Sequence, residues 1–260
     1  MAHRRGRIGS GRTAVALQRL GALRRYILGR AHLVWPPVGM VRLGGLRRLT
    51  PISRRRGADR GTPIDRYYIR HFLARHAGQD GYVLGDIRGR VLEVGDDTYT
   101  RMFGSGVTRV DILHGDASNR RATLVADLAR ADQLPAETYD CVICTQTLLL
   151  IYDVRTALAN LARALRPGGV LFVTVPGISH ICRPDADLGG DFWRFTTYSM
   201  RRLCEEVFAP EDVTVEAYGN VLSAIAFLTG LAAEELRPQE LDARDPDYEL
   251  LVAARARKRA

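Results

Sequence analysis

Acidic side chains punctuate the apolar runs in the middle of this chain. The stretch "GRVLEVGDDTYT", residues 89–100, closes an apolar run with Glu93 and Gly95 and follows at once with Asp96 and Asp97. Asp111 lies in the next run, "TRVDIL" (108–113), and Asp127 ends a third, "ATLVAD" (122–127). Carboxylates at successive strand edges accept hydrogen bonds from vicinal hydroxyls and from an amino group. They repel phosphate unless a metal or Arg stands between. A dinucleotide fingerprint needs several glycines so that backbone can approach a pyrophosphate, and this turn offers one glycine followed by two negative charges. The chain also lacks the Gly-Lys-Ser/Thr of a phosphate-binding P-loop. What remains is a cofactor with ribose and a positive centre but no phosphate, a description that S-adenosylmethionine fits.

The elements that must position these residues follow from periodicity. Strands are expected at 90–95, 108–113, 122–127, 139–145 ("YDCVICT"), 169–177 ("GVLFVTVPG"), 213–219 ("VTVEAYG") and 248–257 ("YELLVAARAR"). Helical spacing marks "PIDRYYIRHFLARHA", which opens on a helix-starting proline, "DVRTALANLARALRPGG", which stops at Pro-Gly-Gly, and "TTYSMRRLCEEVF". Strands alternating with helices imply right-handed crossovers and a mostly parallel sheet. Ligands of such sheets bind beyond the carboxyl ends of the strands, where these acids fall.

The 260 residues are 46% apolar and 26% charged, enough for one substantial core. Charge is segregated. Fifteen arginines against the single acid Asp59 give the first 60 residues +14, so the other 200 carry −5 of the total +9. Residues 1–61 read as a basic extension ending in a Gly/Arg-rich linker, and 62–260 as the folded domain, with an insertion at about 220–247 long enough for a helix. The basic segment offers a weak, nonspecific contact to an anionic membrane or nucleic acid. Arginines interrupt any early apolar block, and "VLSAIAFLTGLAA" (221–233) is too short to span a bilayer; a cytoplasmic location is expected. Cys141 and Cys144 sit three apart on an expected strand, so their side chains point to opposite faces. With Cys182 and Cys204 they read as thiols rather than a metal or redox site, and no metal is expected.

From about Pro63 to Lys258 the chain resembles a class I S-adenosylmethionine-dependent methyltransferase of the Type 11 branch, through "VLEVGDD", "VDIL", "ADL" and "LPAETYDCVICTQTLLLIYD" followed by "LARALRPGGVLFVTVPG". The resemblance implies a doubly wound, Rossmann-like seven-stranded sheet, mostly parallel, with an antiparallel last strand. It also implies that Glu93 and Gly95 hold the methionine end of the cofactor and Asp111 the ribose. Asp127 and the backbone of Leu128 would lie beside the adenine, and Thr145 and Gln146 would face the cofactor. The chain departs from the family where a second glycine is usual. There Asp96 or Asp97, with Asp97 taken as the cofactor contact, either meets the cofactor's amino group or caps the helix that follows.

"GTPIDRYYI" and "RPDADLGGDFWRFT" resemble segments of bacterial methyltransferases, some of them associated with carbohydrate and natural-product assembly. Tyr67 and Tyr68 are then expected as an aromatic wall of the pocket or as core, and Trp193, Asp191 and Arg194 as acceptor contacts or a packed corner. For a hydroxyl acceptor the candidate base is His180, just past a strand end, with Asp191 as the alternative. The expected function is methyl transfer to a small molecule, a sugar or natural-product hydroxyl in a glycan or related pathway. An RNA or protein methyltransferase, or a non-catalytic binding protein on the same fold, stands as the alternative.

Overall fold

The computed structural model describes residues 44–78, 85–130, 133–183 and 189–260. Two compact units divide the chain, residues 1–49 and 50–260. Within the first, residues 44–49 carry a 3-10 turn at Gly44–Leu46. The basic contact expected of the N-terminal arginines falls mostly on residues 1–43, outside the described residues.

The second unit is a seven-stranded sheet in the order β3-β2-β1-β4-β5-β7-β6. Its strands are β1 (Gly89–Val94), β2 (Val107–His114), β3 (Leu124–Val125), β4 (Tyr139–Thr145), β5 (Leu165–Pro176), β6 (Val213–Tyr218) and β7 (Leu251–Arg257). All neighbouring pairs are parallel except those made by β7, which runs antiparallel to both β5 and β6. Helices α1 (Ile64–Ala74), α2 (Thr98–Phe103), α3 (Val154–Ala164), α4 (Thr197–Glu205), α5 (Val221–Thr229) and α6 (Pro238–Asp242) complete the unit. The largest differences from expectation are that the third strand shrinks to two residues, the second runs on through His114, the fifth begins at Leu165 within the segment expected to be helical, and the seventh begins only at Leu251.

Burial on both faces explains the nearly continuous apolar runs of the central strands. Leu92, Val142, Cys144, Leu171, Val173 and Ala254 turn toward one core, shared with Leu158 and Leu161 of α3 and Met200 and Cys204 of α4. Their neighbours Val91, Cys141, Ile143, Val170, Phe172 and Ala253 turn toward the other, with Ile64, Tyr68, Phe72 and Leu73 of α1. Cys141 and Cys144 thus lie on opposite faces, and burial pushes the Cys144 thiol up to about 12. Among the described residues no group of His, Cys, Asp and Glu could hold a metal ion, and no helix is long and apolar enough to cross a membrane.

The segment that composition assigns to a linker belongs to the second unit from Thr50 onward. The N–H groups of Ile52 and Ser53 donate to Thr229 O at 2.7 and 3.2 Å, Ala233 N donates to Thr62 O at 2.8 Å, and Pro63 bridges to Ala232. At the reversal, Gly57 has φ +83°, and a Cβ there would lie 2.5 Å from the Leu231 carbonyl oxygen. Arginine-rich composition conceals this docking because its partners lie some 170 residues away, in the insertion that carries α5 and α6.

Candidate active site

The strand order reverses between β1 and β4, and a cavity of about 880 Å³ opens there at the carboxyl ends of the strands. Glu93 to Asp96, Leu113 to Gly115, Ala126 to Leu128 and Thr145 to Thr147 line it from four successive strand ends. Pro63, Arg66 and Arg70 line it from the start and one face of α1, and Arg56 from the docked segment.

Glu93 is 1% exposed and sits in β1 opposite the start of α2. Its two carboxylate oxygens accept the N–H groups of Tyr99 at 2.9 Å and Thr100 at 2.7 Å. Those donors are in the first turn of α2, where a helix has no internal acceptors. Asp97, at the capping position, makes no side-chain cap; Glu93 caps the helix from the neighbouring strand instead, and Asp96 takes the remaining Thr98 N–H at 2.8 Å. Burial pushes the Glu93 carboxyl above its ordinary range, against the pull of the donors at Thr100 and Tyr99. Gly95 turns the chain with φ +95° and presents bare backbone to the cleft; a Cβ there would meet no atom within 4 Å.

The donors and acceptors therefore divide by position. Carboxylates of Glu93, Asp96 and Asp127 gather at the strand ends, beside the apolar surfaces of Tyr99, Leu128 and Ile151. An ammonium or hydroxyl-bearing ligand with a flat apolar base suits that set, while Arg56, Arg66 and Arg70 line the cleft from the docked segment and α1. Residues 94–173, from the end of β1 through most of β5, match the family model described as a methyltransferase domain. Over this stretch the chain is similar to methyltransferase domains. Solved structures of low identity include an S-adenosylmethionine-dependent methyltransferase from Mesorhizobium loti (15% identity, 75% of this chain and 98% of that one, TM-score 0.46). Others are a methyltransferase from Archaeoglobus fulgidus (12%, 74% and 94%, TM-score 0.46) and a chain of the Haloferax volcanii complex between the Trm112 methyltransferase activator and a methyltransferase (16%, 74% and 89%, TM-score 0.48). No curated protein matches the chain.

The cleft brings together six of the expected cofactor contacts: Glu93, Gly95, Asp127, Leu128, Thr145 and Gln146. Asp97 and Asp111 are not among the lining residues. The Asp97 carboxylate turns to Arg121 and to Arg101, the latter at 3.2 Å, while its neighbour Asp96 faces the cleft. Asp111 lies three residues before the end of β2, 4% exposed, and accepts Arg90 at 2.7 and 3.0 Å and Arg109 at 3.1 and 3.2 Å. Burial alone would raise its carboxyl, and the two guanidinium groups outweigh burial and hold it below the ordinary range.

The strand end beside Gly95 is occupied by Leu113, whose carbonyl accepts the Gly95 N–H, and then by His114. Sequence reasoning missed His114 because the apolar run ends one residue earlier. Asp111→Ala is therefore expected to lower stability by about 1.5–3 kcal/mol, the scale of a hydrogen bond to a charged group, while S-adenosylhomocysteine affinity stays within about threefold. Urea unfolding and calorimetry check the two halves.

Tyr67 and Tyr68 do not line the cleft. Their hydroxyls donate to Asp242 at 2.8 Å and to Leu241 O at 2.9 Å, fastening α6, because the cleft-side face of α1 is the one carrying Arg66 and Arg70.

Beyond Gln146 a second, small cavity of about 20 Å³ is lined by Arg56, Asp65, Gln146, Ser179, His180, Asp191 and Phe227 among others. Arg56 and Gln146 belong to both cavities. His180 stacks on Phe227 with ring centroids 6.3 Å apart. Its Nδ1 lies 2.9 Å from Ile181 O, and its Nε2 is buried with no hydrogen-bond partner.

Asp191, the alternative base, is committed elsewhere. Its side chain is 1% exposed and accepts both terminal nitrogens of Arg194, at 2.5 and 3.1 Å, and the Cys182 N–H at 3.0 Å. Burial would raise its carboxyl, and Arg194 with the Cys182 N–H carries it below the ordinary range instead. The same guanidinium donates to the carbonyls of His180 at 2.9 Å and Trp193 at 2.7 Å, so this pair positions the His180 loop. The Trp193 Nε1–H is spent on Ile151 O and Tyr152 O at 3.0 and 3.2 Å, leaving Tyr152 and Phe192 as the exposed aromatics of that corner. The preceding residues 184–188 lie outside the described residues.

Proposed function

We propose that this protein is a class I S-adenosylmethionine-dependent methyltransferase that acts on a hydroxyl of a small molecule, a sugar or natural-product intermediate, with His180 receiving the proton. The state of the imidazole carries this reading. With Nδ1 2.9 Å from the Ile181 carbonyl, that nitrogen is assigned as the N–H donor, which leaves the Nε2 lone pair unused on a residue lining a small cavity that shares Arg56 and Gln146 with the cofactor cleft. A buried ring nitrogen without a partner is the arrangement a general base needs before substrate arrives.

S-adenosylmethionine, when bound, supplies a methyl group on a sulfonium, ready for in-line displacement. The chain's own tasks are alignment and proton removal. Glu93, Gly95, Asp96 and Asp127 would hold the methionine and ribose portions at the strand ends, and Leu128, Tyr99 and Ile151 the apolar base. The acceptor hydroxyl would lie between Gln146 and His180, and its proton would pass to Nε2 as the oxygen attacks. Tyr152 and Phe192, edge to face at 5.4 Å beside the cleft residues Ile151 and Gly190, offer ring surface to the C–H face of a sugar.

Incubating the protein with labelled S-adenosylmethionine and fractionated cell extracts tests the reading. Label is expected in a small-molecule fraction. With that fraction His180→Ala should transfer methyl about 10²–10⁴-fold more slowly while binding S-adenosylhomocysteine within twofold of wild type. Label confined to RNA or protein, or unchanged transfer by His180→Ala, would overturn it.

A further inference from the structure

The two residues shared by both cavities have an unusual backbone. Arg56 has φ +58° and Gln146 has φ +50°, and among the described residues Glu137 is the third non-glycine residue with positive φ. Non-glycine residues persist in this region only when their surroundings enforce it, and they concentrate where a ligand is gripped. At Arg56 the enforcement is visible: the chain reverses at Arg56–Gly57 tightly against the Leu231 carbonyl. At Gln146 the backbone N–H is held by Thr174 O at 2.8 Å.

Charge at this junction is unbalanced. The two acids of the small cavity are already matched. Asp65 pairs with Arg66 at 3.5 Å and accepts its backbone N–H at 2.8 Å, and Asp191 is held by Arg194. Arg56, which lines the same cavity, makes no ion pair with any described residue. Beside it, the Gln146 Nε2 amide is buried and lacks an acceptor. A guanidinium and an unpaired amide donor on residues that line the same small cavity suit a ligand that supplies negative charge and acceptor oxygens together.

The geometry points to an acceptor that carries an anionic oxygen group, a carboxylate or a phosphate, held by Arg56 and Gln146, the residues that line both cavities. This rests on the methyl-transfer reading above and narrows its substrate class. Arg66 and Arg70 line the cofactor cleft alone, whereas Arg56 also reaches the cavity of His180. That difference assigns Arg56 to the acceptor rather than to the cofactor's own carboxylate. Held there by its anionic end, the acceptor presents its hydroxyl toward His180.

Calorimetry on the full chain tests the assignment. S-adenosylhomocysteine is titrated into wild type, Arg56→Gln and Arg56→Lys. Inorganic phosphate, acetate and neutral methyl glucoside are then titrated separately into each complex. One of the two anions is expected to bind the wild-type complex more tightly than methyl glucoside does, and which one binds distinguishes a phosphate from a carboxylate. Its affinity should fall at least tenfold in Arg56→Gln and return to within threefold in Arg56→Lys, with S-adenosylhomocysteine affinity within twofold throughout. Should Arg56→Gln fail to fold, Gln146→Ala is expected to weaken the same anion at least threefold. The assignment is overturned if neither anion binds, if the substitution leaves anion affinity unchanged, or if Arg56→Gln loses S-adenosylhomocysteine instead. The hydroxyl-acceptor reading fails separately, through unchanged transfer by His180→Ala, a result independent of anion affinity.

Discussion

Glu93→Gln is expected to lower the melting temperature by about 6–12 °C and to weaken S-adenosylhomocysteine binding at least tenfold. The substitution keeps the shape and removes the charge, so its effect reports what the carboxylate does. Two oxygens now receive Tyr99 N–H at 2.9 Å and Thr100 N–H at 2.7 Å. An amide offers one oxygen, and its NH₂ must face the other N–H, donor against donor, at a position 1% exposed where water cannot intervene. Losing a charged hydrogen bond and stranding a buried donor together cost about 3 kcal/mol, and a domain of this size loses about 2–4 °C per kcal/mol. The binding loss follows because α2 carries Thr98 and Tyr99 into the cleft wall and Asp96 anchors its first N–H. If scanning calorimetry finds the melting temperature within 2 °C of wild type and the affinity unchanged, Glu93 is neither the cap of α2 nor a support of the cleft.

The same residues show what the sequence made legible. Strand ends were readable because apolar runs stop at Gly95, at Asp127 and at Thr145, and a parallel sheet must bring such ends to one edge. Which acid of a pair faces that edge was not readable. Asp96 and Asp97 differ only in the direction that a turn with φ +95° at Gly95 gives them, and Arg121, 24 residues on, draws Asp97 away. Asp111 misled because the strand continues three residues beyond it to His114, so its carboxylate lies against Arg90 and Arg109 instead of at the edge. Arg56 was hidden for a different reason. Its place depends on hydrogen bonds from residues 52 and 53 to Thr229, a pairing with no local pattern. His180 is placed by its position just past β5, yet its unpaired Nε2 depends on the Arg194 fork that holds the loop.

Gln146→Gly should make the protein more stable and far less active. Gln146 stands at the end of β4 with φ +50°, a conformation that costs a residue with a Cβ about 1 kcal/mol or more. Its Nε2 is buried without an acceptor, a further cost of about 1–3 kcal/mol. Glycine removes both, keeps the backbone N–H donated to Thr174 O, and gives back about 0.5–1 kcal/mol in unfolded-chain entropy. The expected net gain of about 1–2 kcal/mol corresponds to a melting temperature higher by about 2–8 °C. Transfer of labelled methyl to the active extract fraction is expected to fall at least 100-fold, since the donor between the cofactor cleft and His180 is gone. Gln146→Ala separates the two contributions. It deletes the amide but keeps a Cβ at positive φ, so it should be as inactive as Gln146→Gly and less stable than it. A sheet that holds a strained glutamine with an idle donor, where glycine would be more stable, is consistent with a side chain retained for what it binds. A Gln146→Gly protein that melts below wild type, or that keeps its transfer rate, would remove that inference and return Gln146 to the role of a polar strand terminus.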